Sequence, residues 1–374
     1  MMEKQKYKRL RITHPEKVDM NPAKLGQAFE IVEEGVKKKV YPGAVALVAR
    51  HGVIVGEKYY GKAVLFPKER DMQVDTIFDL ASLTKPIVTA SSTMVLIEQG
   101  KLRLDDKVVD FVPEFKREAV TIRYLLTHTS GLPAWKDFYS ESRSYQGIIR
   151  EICQTELEYS PGTRVVYSCI DFILLGEITQ RIARKSLALF SKENIFTALG
   201  MNNTFFNPLT ELKGRIAATE YCLWRKRMLV GEVHDENAYA LGGISGNAGL
   251  FSTAYDLAIF CQMLLNKGGY DKTQILGAST IEEMTRNQTE GLSEPWGLGW
   301  LLKSGKGSPA GDLLSTASYG HTGFTGTSLW IDPVRDLFII LLTNRVHPNR
   351  RCGEEISRIR PLFNDAVVGS IMEI

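Results

Sequence analysis

Residues 22–39 place apolar side chains at Leu25, Phe29, Ile31, Val32 and Val36 among charged neighbours. That spacing predicts an amphipathic helix laid on a sheet. The run that follows, GAVALVARHGVIVGEKYYGKAV, is β-rich on both sides of Arg50-His51-Gly52 and predicts a hairpin. From residue 76 the pattern changes. Segments 84–99, 120–127, 145–155, 170–184, 188–198 and 254–266 carry helical spacing and are separated by Gly/Pro loops, with no fixed-period repeat. Strand character returns at Ser328 to Ile331, a turn at Asp332-Pro333, and Leu337 to Thr343, and residues 352–373 predict a closing helix.

Strands at both ends with helices between them predict an α/β (α+β) fold, an antiparallel sheet flanked by helices plus a mainly helical lobe. The boundaries expected are 1–75 with 286–374 for the discontinuous α/β lobe and 76–285 for the helical one. A cleft between the lobes is the natural place for a site.

Composition narrows the function. In 374 residues, 44% are hydrophobic and 24% charged, and the formal net charge is +3, so nothing points to a nucleic-acid partner. The most basic stretch, Arg345 to Arg360, is interrupted by Glu354 and Glu355 and reads as a solvated helix face. Cys153, Cys169, Cys222, Cys261 and Cys352 are scattered, with no C-x-x-C and no Cys/His cluster. Reduced, mostly buried thiols are expected, with neither a disulfide framework nor a metal site. The N-terminal stretch MMEKQKYKRLRITHPEKVDM has no apolar core, and no segment approaches a membrane span. A cytoplasmic location is expected, or a periplasmic or extracellular one if a leader has been removed. Oligomeric state is not legible.

One motif carries chemistry. In Phe78-Asp79-Leu80-Ala81-Ser82-Leu83-Thr84-Lys85-Pro86, residues 82 and 85 share a helix face, so Lys85 can take the proton that makes Ser82 nucleophilic. A helix start adds free N–H groups and partial positive charge near the serine. Such a base requires a depressed lysine pKa, through burial or a cationic neighbour.

ASLTK (81–85), GKLRLDDKVVDFVPEF (100–115) and VTIRYLLTHTSGLPAW (120–135) together resemble the serine β-lactamase/penicillin-binding-protein superfamily, including class C-like esterases and DD-peptidases. The resemblance spans roughly residues 40–345. It implies the β-lactamase/transpeptidase-like fold and a serine acyl hydrolase working through an acyl-enzyme, without a cofactor. By the same resemblance Tyr167, in Tyr167-Ser168-Cys169, matches the tyrosine that shuttles protons. Cys169 stands where asparagine is usual, and a thiol is a poorer partner for a substrate amide. His321-Thr322-Gly323 corresponds to the Lys-Thr-Gly strand. The resemblance gives His321 a role in positioning substrate or tuning Tyr167, Gly323 a close approach to substrate, and the N–H groups of Phe324 and Ser82 the oxyanion hole.

The first functional reading is therefore a carboxylesterase. Alternatives are a D-alanyl-D-alanine carboxypeptidase or weak β-lactamase, or a non-catalytic ligand-binding module. The partner expected is a small ester, amide or β-lactam. Residues 231–258, GEVHDENAYALGGISGNAGLFSTAYDLA, read as a loop against the cleft that closes into a helix at Ser252 to Asp256. Gly243, Gly246 and Gly249 follow no strand, which excludes a dinucleotide loop. His234, Asp235 and Glu236 lack ligand spacing, and His128 reads as structural. Trp135, Trp296 and Trp300 fit either the walls of an acyl pocket or core packing, with nothing in the sequence to choose between them.

Overall fold

The computed structural model describes residues 10–141, 144–305, 307–351, 353 and 355–372. Its main sheet runs in the order Arg11–Ile12, Val53–Val64, Gly43–Arg50, Leu337–Thr343, Ser328–Asp332, Tyr319–Thr322, Leu301–Leu302, with Arg70–Asp71 added beside Val53–Val64. All these pairs are antiparallel except the first. Gly43–Arg50 pairs with Leu337–Thr343 from the far end of the chain, register Leu47 to Ile340.

The central strands are buried on both faces, and their alternation sorts two cores. Val45, Leu47 and Ala49 face one core together with Phe338, Ile340 and Leu342. Ala44, Ala46 and Val48 face the other with Leu337, Ile339, Leu341 and Trp330. The second core is closed by helices Pro22–Lys37 and Ile356–Gly369, which pack on each other. Asn21 caps the first of these by accepting the Lys24 N–H at 3.0 Å. On the first core lie helix Ala254–Leu265 and the helical part of the chain.

The expected helices form with shifted ends. Residues 81–98 are one continuous helical stretch, 3-10 at first, then π at Lys85–Ala90, then α at Ser91–Glu98. Two short helices, Glu236–Ala240 and Ala278–Thr285, were not anticipated. The helix expected from Ser252 begins instead at Ala254. Ser252 ends a strand, Leu250–Ser252, and Thr253 caps the helix through the Asp256 N–H. That strand pairs with Phe78–Asp79 and Phe205–Phe206 in a small sheet just ahead of Ser82. The closing helix is Ile356–Gly369. Cys352 and Glu354 lie outside the described residues. Among the described residues no helix is long and apolar enough to cross a membrane.

The basic stretch meets expectation in part. Arg351, Glu355 and Arg358 are exposed, as a solvated face would be, but Arg345 and Arg360 are each 9% exposed and line a cavity, with Arg350 at its edge. The two buried arginines bond carbonyls of the turn at 323–327, a contact with no local signature.

Candidate active site

Ser82 sits in the first turn of the 81–98 stretch. The backbone there is fixed from both sides. Asp79 is buried and its carboxylate accepts the N–H of Ala81 at 2.9 Å and of His234 at 2.6 Å. Ala81 adopts φ +47°, strained for a residue with a Cβ, immediately before the serine. Lys85, one helical turn on, is wholly buried. Its Nζ lies 3.0 Å from Ser82 Oγ, 3.1 Å from the carbonyl of Asn247 and 3.7 Å from Cys169 Sγ. The Gly-rich loop around Asn247 is pressed against the helix. Thr89 donates to Gly246 O at 2.7 Å, and a Cβ on Gly246 would meet Phe172 O at 1.9 Å.

Tyr167 precedes helix Cys169–Ala183, whose N-cap Ser168 accepts the Asp171 N–H and donates to Pro133 O. His128 holds the tyrosine on both flanks. Its carbonyl accepts the Val166 N–H at 2.9 Å and its ring Nδ1 accepts the Ser168 N–H at 3.1 Å. Its ring stands 4.6 Å from the Tyr167 ring, and its own backbone is left-handed at φ +57°. Burial pushes the His128 pKa well down, so the imidazole stays neutral, with its proton on Nε2. The Tyr167 hydroxyl is buried without an ideal hydrogen bond among the described residues, but it lies close enough to Lys85 and Ser82 for both to favour its ionised form. A phenol within reach of the nucleophile and its amine is placed to exchange protons with both.

The protonation states correct one expectation. Burial favours the free amine of Lys85. Ionised Cys169 and Tyr167, with Asp235, favour the ammonium and outweigh it, so the Lys85 pKa is raised rather than depressed. Burial also raises Tyr167 and Cys169, against the pull of Lys85. Lys85 and Tyr167 therefore titrate as one coupled pair, not as two independent groups. His321 is pushed down to about 3 by burial and then by Lys85. Its Nδ1–H donates to Thr322 O at 2.8 Å, which leaves buried Nε2 as an acceptor with no partner among the described residues.

The 323–327 turn approaches Ser82 closely. Thr325 and Thr327 hydroxyls donate to Asp79 O at 2.7 Å and Leu80 O at 3.0 Å. A Cβ on Gly323 would sit 2.4 Å from Leu80 O, so glycine is required by proximity, not by φ. Among the described residues no acceptor is bonded to the N–H of Ser82 or of Phe324. The Phe324 ring stacks on His234 at 5.6 Å.

These groups meet at a cavity of about 710 Å³, lined by Ser82, Tyr167, Cys169, His321, Gly323 and Phe324. Trp135, Trp296, Leu301 and Ile356 give it apolar walls. Trp300 does not join them. It is wholly buried in the core beside Tyr319. His234, Asp235 and Glu236 reach the cavity too, although their bonds are structural: Asp235 caps Ala238, and Glu236 pairs with Arg350. No group of three or more His, Cys, Asp or Glu among the described residues is placed to hold a metal. Cys153, Cys169, Cys222 and Cys261 are free thiols. Asn247 O, Asp79, His128 and the arginines were not assigned site roles from sequence. The first acts through a main-chain atom, which has no residue signature, and the others through long-range contacts.

A family model for β-lactamases matches residues 29–360. A protein of Escherichia coli (strain K12), provisionally named a D-alanyl-D-alanine carboxypeptidase, is 34% identical over 91% of this chain and 87% of its own length. Among solved structures, EstCE1, described as a hydrolase with promiscuous acyltransferase activity, superposes with TM-score 0.75 at 22% identity, covering 93% of this chain and 99% of its own. A penicillin-binding-protein homologue from Caulobacter crescentus does so with TM-score 0.75 at 20% identity, covering 94% and 98%. The fold is thus the β-lactamase/transpeptidase-like one, and the chain belongs to the β-lactamase family, within the serine acyl hydrolases.

Proposed function

We propose that the protein is a carboxylic ester hydrolase acting through an acyl-Ser82 intermediate. The observation that carries the reading is the 3.0 Å contact between Lys85 Nζ and Ser82 Oγ at the edge of the apolar cavity. Once the Lys85/Tyr167 couple has lost one proton, the Lys85 amine takes the Ser82 proton as Oγ attacks the ester carbonyl carbon. The oxyanion accepts from the N–H groups of Ser82 and Phe324. As the tetrahedral intermediate collapses, the leaving alkoxide takes the Tyr167 proton, and Tyr167 is refilled from Lys85. Water then attacks the acyl carbon, gives its proton to the couple, and Ser82 recovers its own. Neutral His321 offers Nε2 as an acceptor beside Tyr167, and His128 keeps Tyr167 in place.

Esters are favoured over amides for two reasons. The Cys169 thiol occupies the position from which a side-chain amide would bind a substrate amide, and thiols are weak partners. Trp135, Trp296, Leu301 and Ile356 favour an apolar acyl or alcohol group. The second reading, a D-alanyl-D-alanine carboxypeptidase, draws on the name of the E. coli relative and on the arginines at the cavity. Against it, Arg350 is already paired with Glu220 and Glu236, and Arg360 with two carbonyls. With the reading goes the division into 1–75 with 286–374 and 76–285, the cavity drawing residues from both.

A panel of p-nitrophenyl esters, nitrocefin and a D-Ala-D-Ala peptide, run on wild type and Ser82→Ala, tests the proposal. Burst release from esters, lost in Ser82→Ala, is expected. A higher kcat/KM on the peptide than on every ester would replace the first reading with the second. Reversible binding with no covalent adduct would leave a binding module.

A further inference from the structure

The peptide unit joining Gly323 to Phe324 has two ends with different partners. Its N–H is the oxyanion donor in the mechanism above. Its carbonyl accepts Arg360 Nη2 at 2.9 Å and the Gly326 N–H at 3.0 Å. The same Arg360 nitrogen reaches Thr327 O at 2.9 Å, and Arg345 Nε donates to Phe324 O at 2.9 Å. Arg360 projects from the C-terminal helix and is nearly buried. Among the described residues the charged group that acts on it is another cation, Arg345, and its Nε has no partner. A buried guanidinium with no carboxylate partner among the described residues is therefore aimed at one end of the peptide whose other end faces the reacting oxygen.

A charged donor on a carbonyl draws electron density from the whole amide and makes the N–H of that amide more positive. In a site of low dielectric the guanidinium charge also acts directly on a negative oxygen across the peptide. We propose that Arg360 is a positioning residue for the oxyanion hole, which strengthens the Phe324 N–H through the Gly323 carbonyl. It complements the threonine anchors. Thr325 and Thr327 set where the turn lies relative to Ser82, and Arg360 sets how strongly its amide donates. The proposal rests on the acyl-Ser82 reading.

The test compares wild type, Arg360→Met and Arg360→Lys. Ser82 labelling by a fluorophosphonate is measured first, then kcat and KM on a p-nitrophenyl ester, Tm, and the infrared carbonyl stretch of an acyl-enzyme formed from a slowly hydrolysed ester. For Arg360→Met, kcat should fall about 10- to 100-fold with KM within about threefold, a loss at or below that of one oxyanion donor. The acyl carbonyl stretch should move to higher frequency, as a less polarised C=O does. Arg360→Lys should lie between the other two in both measurements. An unchanged stretch and kcat with only a lower Tm would make Arg360 a structural clamp and overturn the proposal. Should the methionine variant fail to fold, the lysine variant decides, since a stretch identical to wild type with the donor fork removed overturns it equally. Wild type that leaves Ser82 unlabelled would instead remove the catalytic reading beneath it, a separate result.

Discussion

Replacing Gly323 with alanine tests how closely the turn must approach the nucleophile. The added Cβ would stand 2.1 Å from Thr327 Oγ1 and 2.4 Å from Leu80 O, where ordinary contact begins at 3.4 Å. The threonine can rotate, at the cost of its bond to Leu80 O. Leu80 cannot easily yield. Its N–H is bonded to Leu250 O at 2.9 Å, and the next N–H is held by Asp79. The turn must therefore retreat by about 1 Å, carrying the Phe324 N–H away from Ser82. A displacement of that size at a reacting group costs about 100-fold in rate. Overpacking adds a stability loss of about 1–3 kcal/mol. Ester hydrolysis should show kcat down about 100-fold with KM within a few-fold, alongside a lowered Tm. Gly26→Ala is the control. Nothing lies within 4 Å of its added Cβ, and it sits inside helix Pro22–Lys37. It should leave kcat alone and stabilise by about 0.5–1 kcal/mol. A Gly323→Ala enzyme with kcat within about threefold of wild type would refute the required approach.

Two further outcomes follow from the same geometry. Because Lys85 and Tyr167 are both raised, the form one proton poorer is scarce at neutral pH and grows as pH rises. The kcat/KM for ester hydrolysis should therefore climb from about pH 7 toward about pH 9, and a flat or falling profile would contradict this assignment. Cys169→Asn should raise the ratio of amide or β-lactam to ester kcat/KM by about tenfold, the value of one hydrogen bond. An unchanged ratio on nitrocefin and p-nitrophenyl acetate would show that the thiol does not set the preference.

The sequence made the Ser82–Lys85 contact legible because helical spacing converts positions 82 and 85 into neighbours. It made the central strand legible because GAVALVA, residues 43–49, is apolar throughout, as a strand covered on both faces must be. It was half right at Arg345–Arg360. Arg351, Glu355 and Arg358 face solvent, but the burial of Arg360 depends on a contact with Gly323, 37 residues earlier in sequence. The tryptophans were left open between pocket and core, and Trp300 takes the core. A tryptophan next to a cavity-lining segment turns inward when its neighbour, Leu301, takes the cavity side. The direction of the lysine shift was not legible because only burial and a cationic neighbour were weighed, not acidic partners. The acidic partners that outweigh burial, Cys169 and Tyr167, lie 82 or more positions away along the chain.

The most direct measurement is the intact mass of the protein after brief mixing with a slowly turned-over activated ester, followed by peptide mapping. One acyl group on Ser82 is expected in wild type and none in Ser82→Ala. Unmodified wild-type protein during steady ester turnover, or an acyl group mapped to Cys169 instead, would contradict the nucleophile assignment.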